Sequence, residues 1–310
     1  MNITTITITT IIQTTKKVPR RKKGKTARDS HAKLNLFLDI LKKRDDCFHE
    51  IETIIAPITL SDNLIYKLTD RSGVKVYCTS DSLEESDNII YKIACFLKET
   101  YDVQNGVEIK LKKNIPLAAG LGGGSSNAAE TIHALNTLWK LHLSDSEMHA
   151  IVAKFGSDIN FFLSRKIALL RGRGEIIERT FPSITIDNIL LVNPMIEISS
   201  RNAYSWVQQH PPQNINKEKL IRGILEKDVK KISENLYNGL EQGVFSHYPV
   251  IEEIKFQMAE LGALGSLMSG SGSTVFGIFP TKEKMLEAEK FFKKYNYWLF
   301  QTKIEDSEES

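Results

Sequence analysis

Four glycines fall within five positions in Gly120-Leu121-Gly122-Gly123-Gly124, followed by Ser125 and Ser126, and this run constrains the chain more than any other segment. Such density costs backbone entropy on folding, so it persists where the backbone takes positive φ or approaches something closely. The flanks are patterned. Upstream, VEIKLKK (107–113) alternates apolar and polar residues and predicts a strand. Downstream, residues 126–141 carry Ala128, Ile132, Leu135 and Leu138 or Trp139 at helical spacing. Strand, glycine loop and helix N-terminus in that order suit an anion, because the first N–H groups of a helix are unpaired and carry partial positive charge. Ser125 and Ser126 are expected to cap the helix and to offer hydroxyls to phosphate or to Mg²⁺. A flexible linker would not sit between two such elements.

Commoner phosphate motifs fail here. A dinucleotide fingerprint would need its third glycine where Ser125 stands. No lysine follows the loop as in a Walker A motif, and HRD and DFG are absent. GKT at 24–26 lacks the glycine five residues earlier, where Pro19 stands. A second cluster, SGSGS at 269–273, lies between two apolar strand patterns. It reads as a hairpin turn or as a second wall of the same anion site.

Phosphoryl transfer needs positioning, charge stabilisation and a group for the acceptor's proton. Asp158, in FGSDINFF, sits between a helix stop and an apolar stretch, so its carboxylate is expected to be largely buried and paired. AKLNLFLDI (32–40) alternates and predicts a half-buried strand, which places Lys33 and Asn35 on one face. Lys33 is a reasonable partner for Asp158. Each also reads as half of a structural salt bridge. His49 beside Phe48 joins a hydrogen-bonding ring to a stacking ring, or is simple packing. The remaining histidines have no ligand spacing and HExxH is absent, so no protein-built metal site is expected.

The 310 residues are 41% hydrophobic and 25% charged, a globular mix long enough for two domains. No apolar run approaches the ~20 residues that cross a bilayer. Three scattered cysteines, Cys47, Cys78 and Cys95, indicate neither a disulfide framework nor a zinc ribbon, and a reducing compartment is the simplest reading. Net charge is +3, but residues 1–30 hold eight Lys/Arg against one acid and the rest is net acidic. That basic, low-complexity head reads as a disordered tail, a non-native extension or an organelle-targeting segment. The last residues, 301–310, read as an acidic tail.

Other patterns fill in the chain. Residues 86–100 predict a helix capped by Ser86 or Asp87, and Ser144 with Glu147 forms a capping box for another. Strands are expected at 166–171 and 189–193, a linker or surface loop at 205–220, two or three helical patterns from about 217, helices at 249–261 and 281–294, and a strand–loop–strand around SGSGS. Helices and strands interleave without regular βαβ alternation, which suggests α+β.

Six segments together resemble the GHMP kinases, a superfamily of small-molecule kinases: AKLNLFLDI, RDDCFHEIETI (44–54), SDNII (86–90), the loop at 116–129, GSDINFF (156–162) and SGSGSTVFGIF (269–279). AKLNL with the FHE segment is similar to the branch that phosphorylates 4-diphosphocytidyl-2-C-methyl-D-erythritol in non-mevalonate isoprenoid biosynthesis. The resemblance implies a two-domain α+β fold. An N-terminal ribosomal-protein-like α+β domain (31–185) would carry the ATP loop, followed by a C-terminal ferredoxin-like α+β domain (186–300), with the site between them. It implies Lys33 and Asp158 as the catalytic pair. For ATP it implies Pro116, Leu117, Ala118, Ala119, Gly120, Leu121, Gly122, Gly123, Gly124, Ser125 and Ser126, with Asn88 and Lys113 nearby. Asn35, Phe48 and His49 match the cytidine-diphosphate site, where His49 would meet the cytosine edge, Phe48 one face and Tyr204 the other. Mg²⁺ accompanies ATP, and the expected partner is the small-molecule substrate, with no nucleic acid and no membrane, in a monomer or weak dimer. The expected location is the bacterial cytoplasm, or a plastid-type organelle if the head is a transit peptide. Four positions depart from the usual pattern: His31 for Pro, Cys47 for Gly, Phe48 for Tyr and Asn160 for Pro. Three rivals remain: another small alcohol as acceptor, a nucleic-acid binder using the basic head, and a catalytically dead regulatory relative, which the presence of both Lys33 and Asp158 disfavours.

Overall fold

A computed structural model describes residues 24–79, 88–156, 158–207 and 217–305. In chain order the first half holds β1 (Lys25–Lys43), β2 (His49–Thr69), β3 (Val74–Cys78), α1 (Ile89–Thr100) and β4 (Gly106–Lys112). Then come α2 (Gly123–Trp139), α3 (Asp145–Val152), α4 (Ile159–Ser164), β5 (Ala168–Arg171) and β6 (Ile176–Thr180). The second half holds β7 (Ile186–Asn193), α5 (Ser200–Ser205), α6 (Lys217–Glu226), α7 (Val229–Ser233) and β8 (Tyr237–Asn238). It ends with α8 (Glu241–His247), α9 (Pro249–Glu260), β9 (Gly265–Met268), β10 (Val275–Ile278), α10 (Lys282–Phe292) and β11 (Trp298–Ile304).

The long antiparallel pair β1–β2 is the spine. One path of neighbouring strands runs β3-β4-β2-β11-β7-β10-β9. β11, the last element, pairs along β7 and touches β2 at Ile304↔Ile58, so the chain's end stitches the two halves. Only β3–β4 and β1–β8 are parallel pairs within the described residues.

Three apolar clusters follow the layers. One lies where α1, α2, α3 and α4 cover β2 and β4, around Leu64, Tyr66, Ile109, Ile132 and Phe161. A central one joins Leu34, Leu36, Ile58, Ile189, Phe276 and Ile304 across both halves. The third packs α8, α9 and α10 on β7, β9 and β10, around Val192, Met258 and Phe292. Burying such side chains contributes roughly 1.5–3 kcal/mol each.

Several expectations need correction. β1 begins at Lys25, six residues before His31, because residues 25–30 pair with 62–67 of β2. β11 likewise runs to Ile304, into the expected tail. Residues 32–38 are buried on both faces, not one. The reason is that β1 pairs with β2 on one edge and β8 on the other, with the central apolar cluster around Leu34 and Leu36 on one face and Gly120 and Gly270 against Lys33 and Asn35 on the other. Its bulges at His31/Lys33 and Asn35/Phe37 also break simple alternation. The capping box at Ser144 is present. The caps expected at Ser86 or Asp87 lie outside the described residues, and the observed cap of α1 is Asn88, whose side chain accepts from Ile90 N–H. The core of the expected linker, 208–216, also lies outside them, as do residues 1–23.

Candidate active site

The glycine run does more than precede α2. It enters it. The helix starts at Gly123, and Gly122 at φ +70° is its N-cap, with no side-chain cap. Ser125 and Ser126 therefore stand in the first turn and cap nothing. Ala118 and Gly120 also hold positive φ, at +47° and +75°. The loop is gripped along its length. Lys33 N–H donates to the Leu121 carbonyl at 3.0 Å. Ser269 Oγ donates to the Gly120 carbonyl at 3.0 Å. Ser30 Oγ donates to Ser126 Oγ at 2.7 Å. A Cβ on Gly120 would lie 2.0 Å from the Ser269 carbonyl oxygen, so only glycine lets the two glycine loops meet. The SGSGS segment is thus both a link between β9 and β10 and a wall against the first loop.

Lys33 is buried beneath this junction. Its ammonium donates to Asn35 Oδ1 and to the Gly120 carbonyl. Burial lowers its pKa from the usual lysine range to about 8, and the negative charge of Asp158 pulls it partly back. Asn35 is held in turn by Thr53, whose Oγ1 accepts from Asn35 Nδ2 at 2.9 Å. Asp158 is half-buried, less than expected, because it opens α4 at the cleft wall and does not lie inside the apolar stretch. Gly174 lies against it: a Cβ there would be 3.3 Å from Asp158 Oδ1.

One cleft of about 980 Å³ gathers most of the expected residues. Pro116 to Ser125, Lys113, Lys33, Asn35, Asp158, Phe48, His49 and Tyr204 all line it, together with Gly270 and Ser271. Two do not. Asn88 is buried as the cap of α1, and Ser126 is turned to Ser30. Lys113 pairs with the fully buried Asp62.

At the far end the rings pair differently from expectation. His49 and Tyr204 stack on each other, centroids 5.4 Å apart and planes 21° off parallel. Phe48, 53% exposed, instead carries the Arg173 guanidinium over its ring at 4.8 Å. Cys47, at φ +66°, lies in the bend between β1 and β2 just before Phe48. Burial lowers the His49 pKa, helped by the Lys43 charge. Burial and the Asp158 charge raise that of Tyr204. Asn160 stands 3.0 Å from His149 Nδ1 and donates to the Glu175 carbonyl at 3.2 Å, so it pins the turn that carries Arg173 and Gly174. His31 Nδ1 lies 3.1 Å from the Ile58 carbonyl oxygen, within the β1–β2 pair.

Sequence reasoning missed Asp62, Thr53, Arg173 and Gly174. Asp62 and Thr53 look like ordinary polar positions of a strand. Arg173 had a local signal, RGRGE at 171–175, where two glycines flank a basic residue at a turn.

A chain with a glycine loop at a helix N-terminus, a second glycine loop closed on it, and a Lys/Asp pair between them defines a phosphoryl-transferring class. Family models agree: residues 88–165 match the GHMP kinases N-terminal domain, and 220–297 the GHMP kinases C-terminal domain. A protein of Thermoanaerobacter pseudethanolicus named 4-diphosphocytidyl-2-C-methyl-D-erythritol kinase is 42% identical over 89% of this chain and 95% of its own length. One of that name from Clostridioides difficile is 40% identical over 86% and 91%. A crystal structure of 4-(cytidine 5'-diphospho)-2C-methyl-D-erythritol kinase superposes with a TM-score of 0.75 at 28% identity, over 90% of this chain and 99% of that one. Homoserine kinase from Cytophaga hutchinsonii shares the fold alone, at TM-score 0.70 and 16% identity. The chain belongs to the 4-diphosphocytidyl-2-C-methyl-D-erythritol kinase family, a branch of the GHMP kinases.

Proposed function

We propose that the chain transfers the γ-phosphoryl group of ATP to the C2 hydroxyl of 4-diphosphocytidyl-2-C-methyl-D-erythritol. The observation that carries this reading is the single cleft with a phosphate loop at one end, three aromatic rings at the other, and Lys33 and Asp158 between. The N–H groups at the start of α2 would meet the triphosphate. Lys33, largely protonated at neutral pH, would hold the acceptor oxygen and offset its developing charge. Asp158 would take or orient the hydroxyl proton. His49 and Tyr204 would bind the cytosine, which requires them to part, since a ring inserted between two others needs about twice the usual stacking spacing.

Among the described residues no group of three or more His, Cys, Asp or Glu side chains is placed to hold a metal. Magnesium would arrive on ATP as part of the co-substrate, and the Ser125 hydroxyl, which lines the cleft, is a group that could reach it. No helix among the described residues is long and apolar enough to cross a membrane. The described cysteines are free thiols, and the bacterial origin of the relatives supports a cytoplasmic setting.

The test is ADP release from Mg·ATP with and without the cytidine substrate, alongside Asp158→Asn. Turnover should need the substrate, and the variant should lose on the order of 10²–10⁴ in kcat. Substrate-independent turnover, or a loss of tenfold or less, would remove the acceptor or the proton role respectively.

A further inference from the structure

We propose that Asp62 is a positioning residue of the nucleotide half of the site, acting through Lys113; the inference rests on the kinase reading above. Asp62 is fully buried on β2, a place where an ionised carboxylate is unfavourable unless fully partnered. Among the described residues, the hydrogen-bond partners of its carboxylate lie in three consecutive residues at the entry to the glycine loop. Its Oδ1 accepts from Asn114 N–H at 2.7 Å and from Ile115 N–H at 2.9 Å. Its Oδ2 accepts from the Lys113 ammonium.

The position of that ammonium is what makes the arrangement more than a structural pair. A Cβ on Gly123, the first residue of α2, would lie 3.1 Å from Lys113 Nζ. The charge therefore sits beside the positive end of the helix, with Lys113 lining the cleft. Helix dipole and ammonium repel there, so a free lysine would turn away into solvent. Asp62 supplies the opposite charge that holds it in place. A phosphate arriving at the helix N-terminus finds the cation already ordered and loses little entropy in fixing it.

β2 and its neighbour also hold the other end of the loop. Asp62 is directly opposite Ser30 in the β1–β2 register, and Ser30 donates to Ser126 in the first turn of α2. Adjacent side chains of one strand pair thus fix the entry and the exit of the phosphate loop. Asp62 needs no contact with substrate to act in this way.

The experiment is calorimetric titration of the full chain with ADP, for the parent, Asp62→Asn, Lys113→Met and the double variant, with KM for ATP and for the acceptor alcohol measured in each. Asp62→Asn keeps an oxygen for the two backbone N–H groups but loses the charge. Each single variant should weaken ADP at least tenfold and raise KM for ATP, leaving KM for the alcohol within about twofold. The double variant should be no weaker than the worse single one. That non-additivity is the mark of one residue acting through the other. Losses that multiply, an ADP affinity unchanged in Asp62→Asn, or KM values that rise for both substrates would each overturn the proposal. If Asp62→Asn does not fold, Asp62→Glu keeps the charge but displaces it. It should weaken ADP in the parent and not in Lys113→Met, and equal losses in both would overturn the idea. A parent chain that binds no ADP would instead bring down the kinase reading itself.

Discussion

Lys33 shows how one residue's burial sets the chemistry available to it. In the folded chain its pKa is about 8, below the ordinary lysine range, chiefly because burial disfavours the charged form. The folded state therefore binds fewer protons than the unfolded state between about pH 8 and the unfolded value. By linkage, the cost of burying the charge is present in full below that window and is relieved as pH rises through it. Activity has the opposite sign, since the proposed role needs the ammonium. The profile of kcat/KM against pH should fall on its alkaline side with an apparent pKa near 8. In Lys33→Arg, whose guanidinium stays charged, the residual activity should show no such fall. An alkaline limb at the same pH in both would assign the titration to another group.

At the scale of elements, the two glycine loops illustrate what glycine can be required for. Gly120 is at positive φ and in contact with the Ser269 carbonyl, so Gly120→Ala should cost about 1–3 kcal/mol by overpacking and should pull the two loops apart. Gly124 is different. It lies in the first turn of α2, and a Cβ there would meet nothing within 4 Å. Gly124→Ala should leave the melting temperature unchanged or raise it, since alanine gains roughly 0.5–1 kcal/mol over glycine within a helix. It should nevertheless raise KM for ATP, because the empty space is the cleft where the phosphates would lie. A variant with lowered melting temperature and unaltered KM would contradict that division between folding and binding.

The same elements show what could be read from the chain and what could not. The loop between strand and helix was legible because glycine density and two periodicities all fall between residues 107 and 141. So was the box at Ser144. The start of α2 was misplaced, since glycine at a helix start leaves no capping signal. Lys33 and Asn35 were found on one face, but not the second wall that buries them, because that wall comes from residues 269–272, over 230 positions away. Asp62 carried no local mark at all: its meaning comes from the segment opposite it. The pairing of His49 with Tyr204 and of Phe48 with Arg173 likewise depends on the tertiary placement of α5 and of the turn after β5.

For the whole molecule, the placement of the last strand decides how the halves behave. β11 lies between β7 and β2 and belongs to the sheets of both halves. Ile304, at its end, is fully buried in the central apolar cluster with Leu36 and Ile58 from the first half and Ile189 and Phe276 from the second. The Glu52 carboxylate adds a polar tie, accepting from Arg171 of β5 and from Lys217 of α6 at 2.8 Å each. Domains joined only by a linker would melt separately. Halves that share a strand and a core cluster should melt together, in one calorimetric transition whose van't Hoff and measured enthalpies agree. Ile304→Ala deletes apolar volume at the shared point, so it should cost about 2–5 kcal/mol. It should also lower that single midpoint by several degrees, without splitting it. If the scan instead shows two transitions, and the substitution moves only the one belonging to the second half, then β11 is an appendage of that half. The cleft between the halves would then be free to open without disturbing either core.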